Sequence, residues 1–229
     1  MSASVKYLYE LYYTSAINSW AFWLYNRFMR SPLVVKWLFG MKVLSPEELS
    51  SYFTTLPIYF GSQTVFLKMV LKDKLRRSPN LKLLEVGVGA FAVLSGYLSR
   101  WVTQTIDAID IDPACIESAQ KHVELNKVNV CVFYSDLFTK VSNCKYDLIF
   151  WNLPLTEDPN TYLPRLFKEV PNFMNKNAQL VIVYHTKKLQ RENVLDTLSN
   201  FKRLQLNEIK TWWWSMHEVM LIDKKVTFS

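Results

Sequence analysis

Four short apolar runs in this chain end in residues that core packing does not explain. "LLEVGVG" ends on Gly87 and Gly89, "AIDID" on Asp110 and Asp112, "YSDLF" carries Asp136, and "YDLIFWNLPL" delivers Asn152 just ahead of Leu153 and Pro154. Glycines directly after a strand let the backbone approach a ligand closely. A carboxylate about twenty residues further on, at the next strand tip, suits the two hydroxyls of a ribose, because it can accept both hydrogen bonds at once. Asp136, at the third tip, can accept from an exocyclic amine such as that of adenine, with Leu137 packing on the ring. Asp112 has a local alternative: ahead of Pro113 it reads as a helix N-cap. A polar amide at the end of a core strand, Asn152, is placed for chemistry rather than packing.

Elements that bring these tips together must alternate in type. From Leu81 onward the chain does alternate. "LKLLEVGVG", "QTIDAIDID", "VNVCVFYSD", "KYDLIFWN" and "AQLVIVYHT" read as strands. "FAVLSGYLSRW", "PACIESAQKHVELN", "YLPRLFKEVPNFM" and "LQRENVLDTLSNF" read as helices between and after them. Near-continuous apolar strands separated by helices predict an α/β fold: a Rossmann-like, doubly wound, mostly parallel sheet covered on both faces. "KRLQLNEIKTWWW" and "SMHEVMLIDKK" predict a C-terminal antiparallel hairpin. Ligands of such sheets bind at the carboxyl ends of the strands.

Residues 1–58 have a different character, helical and aromatic, and are expected to form a cap or lid on a catalytic domain of residues 59–229. Ser31-Pro32 punctuates the segment, "LVVKWLFG" ends a helix near Gly40, and Ser45-Pro46 opens another. Residues 62–77 predict one more helix. The aromatic helices suit a substrate lid, a homodimer face or a membrane-surface contact, since Arg27, Arg30 and Lys36 sit among rings.

Composition bounds the rest. Hydrophobic residues make up 50% of the 229 and charged residues 21%, which favours a sizeable core over disorder. The net charge of +7 permits nucleic acid, acidic protein or anionic lipid as a partner. Cys115, Cys131 and Cys144 are odd in number and lack a CxxC spacing, which argues against a disulfide framework and a zinc site. The uncharged stretch Leu11–Asn26 falls short of the roughly 20 residues of a membrane span. The expectation is a soluble, cytoplasmic protein without a metal.

Together these features resemble the class I S-adenosylmethionine-dependent methyltransferases. "EVGVGAF" is similar to that family's first motif, "AIDIDPACIESAQKHVELN" to its second strand and helix, and "SDLF…YDLIFWNLP" to the subgroup with an Asn-Pro-Pro-aromatic motif. The chain departs from it at Phe91, where a third glycine is usual, and at Leu153 and Leu155. The resemblance implies S-adenosyl-L-methionine as cofactor. It implies Glu85, Gly87 and Gly89 under the methionine part, Asp110 and Ile111 at the ribose, Asp136 and Leu137 at the adenine, and Tyr59, Gly61 and Gln63 in a loop over the cofactor. It also implies Asn152 as the catalytic residue, with Trp151, Leu153 and Pro154 lining the acceptor. A nitrogen nucleophile must keep its lone pair aimed at the methyl group, and the Asn152 oxygen plus the Leu153 carbonyl can hold its two N–H bonds. The acceptor is a protein, a nucleic acid or a small molecule. The alternatives are an O- or C-methyltransferase and an inactive scaffold.

Overall fold

In the computed structural model, residues 19–44, 48–49, 58–142, 144–154, 158–212 and 215–225 are described. Helices α1 (Ser19–Met29), α2 (Pro32–Phe39) and α3 (Ser62–Arg77) come first. β1 (Leu83–Val86), α4 (Val93–Leu98), β2 (Ile106–Asp110), α5 (Pro113–Asn126), β3 (Val130–Tyr134) and β4 (Tyr146–Asn152) follow. The chain continues through α6 (Pro159–Glu169), β5 (Met174–His185), α7 (Arg191–Ser199), β6 (Leu204–Thr211) and β7 (His217–Lys224).

The strands form one sheet in the order β3-β2-β1-β4-β5-β7-β6. β3, β2, β1, β4 and β5 are parallel, while β7 runs antiparallel to both of its neighbours. The expected α/β architecture and C-terminal hairpin are therefore present. Strand order reverses between β1 and β4, which opens a crevice at their carboxyl ends. Apolar packing covers both faces. On β4, Leu148 and Phe150 join one core, and Ile149 and Trp151 join the other. That two-sided burial is why the strand reads as a continuous apolar run.

Three helices open with one device, a polar residue followed by proline. Ser31 accepts from the Val34 N–H, Asp112 from Ala114 and Asp158 from Asn160, each with proline at the first helical position. Proline has no N–H to leave unpaired there, and its fixed φ suits the helix. The N-cap expected of Asp112 is thus observed. The helix expected from Ser45, the segment before residue 19, Leu155, Trp213 and Trp214 lie outside the described residues.

The N-terminal helices share the main core. Val35, Phe39 and Met41 are fully buried in the same cluster as Leu67, Leu71 and Val181. Burying a side chain the size of Phe39 contributes about 2 kcal/mol. Gly40 closes α2 at φ +63, with the Arg100 guanidinium packed where a Cβ would stand. Among the described residues, no helix is long and apolar enough to cross a membrane.

Glu85 is the one acid within β1, 4% exposed. Its Oε2 accepts the Ser95 N–H at 3.2 Å and so braces the first turn of α4. Burial pushes the carboxyl up to about 8, aided by the negative charge of Asp110 and opposed by the Ser95 hydrogen bond. The folded state therefore holds a proton that the unfolded chain, with its carboxyl near pKa 4.3, releases at neutral pH. This contribution to stability is complete below the unfolded pKa and is lost as pH rises toward 8. Urea denaturation at several pH values tests this. Glu85→Gln, which keeps the neutral shape, should be more stable than the parent at pH 8, and the gap should close toward pH 5.

Candidate active site

A cavity of about 390 Å³ opens where the carboxyl ends of β1, β2, β3 and β4 meet α6. Its size falls in the range of small-molecule sites. The sheet supplies Gly87, Asp110, Ile111, Asp136, Leu137, Trp151, Asn152 and Pro154, all expected from sequence. Helix α6 supplies Thr161, Tyr162 and Arg165, which were not.

The turn after β1 depends on Gly87. Its φ is +67, and an added Cβ would lie 2.6 Å from the Trp151 Nε1. Both the conformation and the space exclude a side chain there. Trp151 in turn packs against Tyr162, with ring centroids 5.3 Å apart. Gly89 lies beyond the wall and acts through its backbone, donating its N–H to Asp110 Oδ2 at 2.8 Å. Asp110 Oδ1 accepts from the Asp112 N–H at 3.0 Å. Each oxygen keeps a further acceptor position.

Asp136 is held by Arg165. Arg165 Nη1 donates to both carboxylate oxygens, at 2.8 and 2.9 Å, and Nε donates to Glu169 at 3.1 Å. The guanidinium is fixed by acids on two elements. Next to Asp136, Leu137 is buried with φ +46, a left-handed conformation rare for a branched residue. Ser135 Oγ, which donates to the Leu137 carbonyl at 2.6 Å, secures it.

At the β4 tip, Asn152 Nδ2 donates to Thr64 Oγ1 across a long 3.4 Å contact. Thr64 stands in the first turn of α3, and its hydroxyl also accepts the Gly61 N–H. The Asn152 Oδ1 is buried and has no hydrogen-bond partner among the described residues. Leu153 is buried, and its N–H continues the sheet to the Val183 carbonyl at 3.0 Å.

Besides Gly89 and Leu153, four expected contacts stand back from the cavity. Glu85 lies beneath the turn, as described above. Tyr59 packs edge-on against Phe91 at 4.9 Å, Gly61 precedes α3, and Gln63 is buried in its first turn, its Nε2 without a partner among the described residues. His185 and His217 pair across β5 and β7, rings 4.8 Å apart. Burial, then His185, pushes His217 down to about 4, so it is neutral at pH 7.

Arg165 and Thr64 escaped the sequence reading for a simple reason. An Arg four residues before Glu169 looks like an exposed helix pair, and only the fold brings Asp136 to it. The donor and acceptor set fits a ribosylated aminopurine: two acids at neighbouring tips, apolar Ile111 and Leu137 beside them, and a bare glycine backbone.

Comparison with known proteins agrees. Residues 53–210 match the model of the family described as "Methyltransferase small domain". The ribosomal protein L11 methyltransferase of Thermosipho africanus is 33% identical over 112 residues, 49% of this chain and 40% of that protein. The ribosomal protein uL3 glutamine methyltransferase of Xanthomonas campestris pv. campestris is 35% identical over 88 residues, 37% of this chain and 28% of that protein. The chain thus spans less than half the length of either relative. A solved methyltransferase from Pyrococcus furiosus shares the fold, with a TM-score of 0.65 at 18% identity over 89% of this chain and 96% of that one. The chain belongs to the methyltransferase small domain family, within the class I enzymes that take their methyl group from S-adenosylmethionine.

Proposed function

We propose that this protein methylates nitrogen, and that its acceptor is the side-chain amide of a protein glutamine. The observation that carries this reading is the buried Asn152 oxygen at the β4 tip, which has no partner among the described residues. Leaving such a group unpaired costs about 1–3 kcal/mol. An acceptor that brings an N–H to it recovers that cost. A primary amide brings two N–H bonds, one for Asn152 and one for the Leu153 carbonyl. Holding both aims the nitrogen lone pair and converts an encounter into an aligned pair. An oxygen or carbon acceptor leaves at least one of the two protein acceptors unpaired. The names of relatives support the choice of amide: one is a uL3 glutamine methyltransferase, another a release factor glutamine methyltransferase.

When bound, S-adenosylmethionine supplies a methyl group on a sulfonium sulfur, so that a carbon–nitrogen bond forms as a carbon–sulfur bond breaks and the nitrogen sheds a proton. Asp110 would hold the ribose hydroxyls and Asp136 the adenine amine. Ile111 and Leu137 would flank the purine, and the Gly87 backbone would border the methionine part. Trp151 and Pro154 would wall the acceptor side. Thr64 positions the Asn152 amide.

Asn152→Ala should keep its affinity for S-adenosylhomocysteine by calorimetry and lose turnover on the order of 100-fold. Radiolabelled methyl transfer into a glutamine-containing ribosomal or release-factor protein reads the turnover. Full activity in that variant, or label recovered on a nucleobase instead, defeats the reading.

Asp136 and Arg165 give a second test. Asp136→Ala should weaken S-adenosylhomocysteine about tenfold and abolish its advantage over the 6-oxo analogue S-inosylhomocysteine. Arg165→Met should weaken binding less and narrow the same preference, because the carboxylate loses its fixed orientation. An unchanged preference in Asp136→Ala removes that acid from the adenine site.

A further inference from the structure

Helix α2 is apolar on two opposite sides. Val35 and Phe39 are fully buried, yet Leu33 and Trp37, one turn apart, are 78% and 76% exposed. A single exposed Leu needs no explanation. Here α1 adds Trp23, Leu24 and Phe28, all at least 42% exposed. Fraying does not put these residues outside. Ser31 caps the start of α2, Lys68 Nζ donates to the Leu38 carbonyl, and Arg100 Nη2 donates to the Gly40 carbonyl at 2.7 Å. The helix is pinned at both ends with two large apolar groups turned to water.

Charge says what meets this face. The chain has 20 acids in 229 residues, but none lies between residues 11 and 46. That stretch carries Arg27, Arg30, Lys36 and Lys42. Arg27 lies over the Trp23 ring, 5.3 Å from its centroid. A second copy of the chain is a poor occupant, because a two-fold contact would set the cations of these helices against themselves. Nucleic acid is a poor occupant too, since the most exposed side chains, an aliphatic and an indole, would stand between the cations and the phosphates. An anionic bilayer surface satisfies both groups. Leucine and tryptophan gain by leaving water at the headgroup boundary, and arginine and lysine meet the lipid phosphates.

We propose that α1 and α2 dock this protein on an anionic lipid surface, with Leu33 and Trp37 entering the headgroup layer and Arg27, Arg30 and Lys36 contacting lipid phosphates. The proposal is independent of the methyl acceptor.

Vesicle flotation of the full chain tests it. The protein should float with mixed phosphatidylcholine/phosphatidylglycerol vesicles, fail to float with phosphatidylcholine alone, and detach as salt is raised. Lys36→Ala should lower the partition about fivefold. The double variant Leu33→Ser/Trp37→Ser should stay in the soluble fraction while keeping its melting temperature and its affinity for S-adenosylhomocysteine. Absence of flotation with the anionic vesicles at low salt overturns the proposal. So does undiminished flotation of the double variant. A duplex RNA that binds parent and double variant equally, and displaces the vesicles, reassigns the cations to nucleic acid. A parent dimer that the double variant loses, without any flotation, reassigns the face to a second copy. Either result overturns it.

Discussion

One carboxylate sets the geometry of the crevice. Asp110 accepts the Gly89 N–H with one oxygen and the Asp112 N–H with the other. It therefore fastens the turn after β1 to the start of α5, two segments that are neighbours only because β1 and β2 pair in register. With the turn fixed, Gly87 holds its left-handed conformation under Trp151, and Trp151 reaches Tyr162 on α6. The wall of the cavity is a chain of such dependencies, each resting on strand tips that end at the same height.

The two sides of the β4 tip have different work. Trp151 points into the core beneath α6, where it packs on Tyr162. Asn152, next in sequence and so on the opposite face, turns toward α3 and Thr64. A single step along one strand thus separates a ring contact with Tyr162 from a polar contact with Thr64. The proline that follows, Pro154, cannot extend the sheet and leaves the tip open.

The fold was legible because its signals are local and repeated. Apolar strand runs, the Ser31-Pro32 and Asp112-Pro113 helix starts and the Gly turn each act over a few residues, and the structure contains them. The acids and the amide of the crevice were legible for the same reason, since each ends its own strand. What escaped was long-range. Arg165 belongs to a helix whose sequence suggests only a partner four residues on, and it meets Asp136 through tertiary packing. Tyr59, Gly61 and Gln63 were expected to face the ligand, but the loop that carries them leads into α3, where Tyr59 and Gln63 are buried against the core. Likewise the N-terminal helices announce their aromatic content, while only the packing shows which rings point in and which point out.

The contact between Glu85 and the Ser95 N–H has a consequence for the helix that follows the glycine turn. In many nucleotide-binding sheets the helix after the glycine turn offers its free N–H groups, and the positive end of its dipole, to a phosphate. Here a side chain of the same protein already sits at that end of α4. A diphosphate would meet a donor already engaged and, close by, the negative charge of Asp110. One donor of that terminus is thus withheld from an incoming anion. The Glu85 carboxyl, neutral at pH 7, engages that terminus through a hydrogen bond and not through charge.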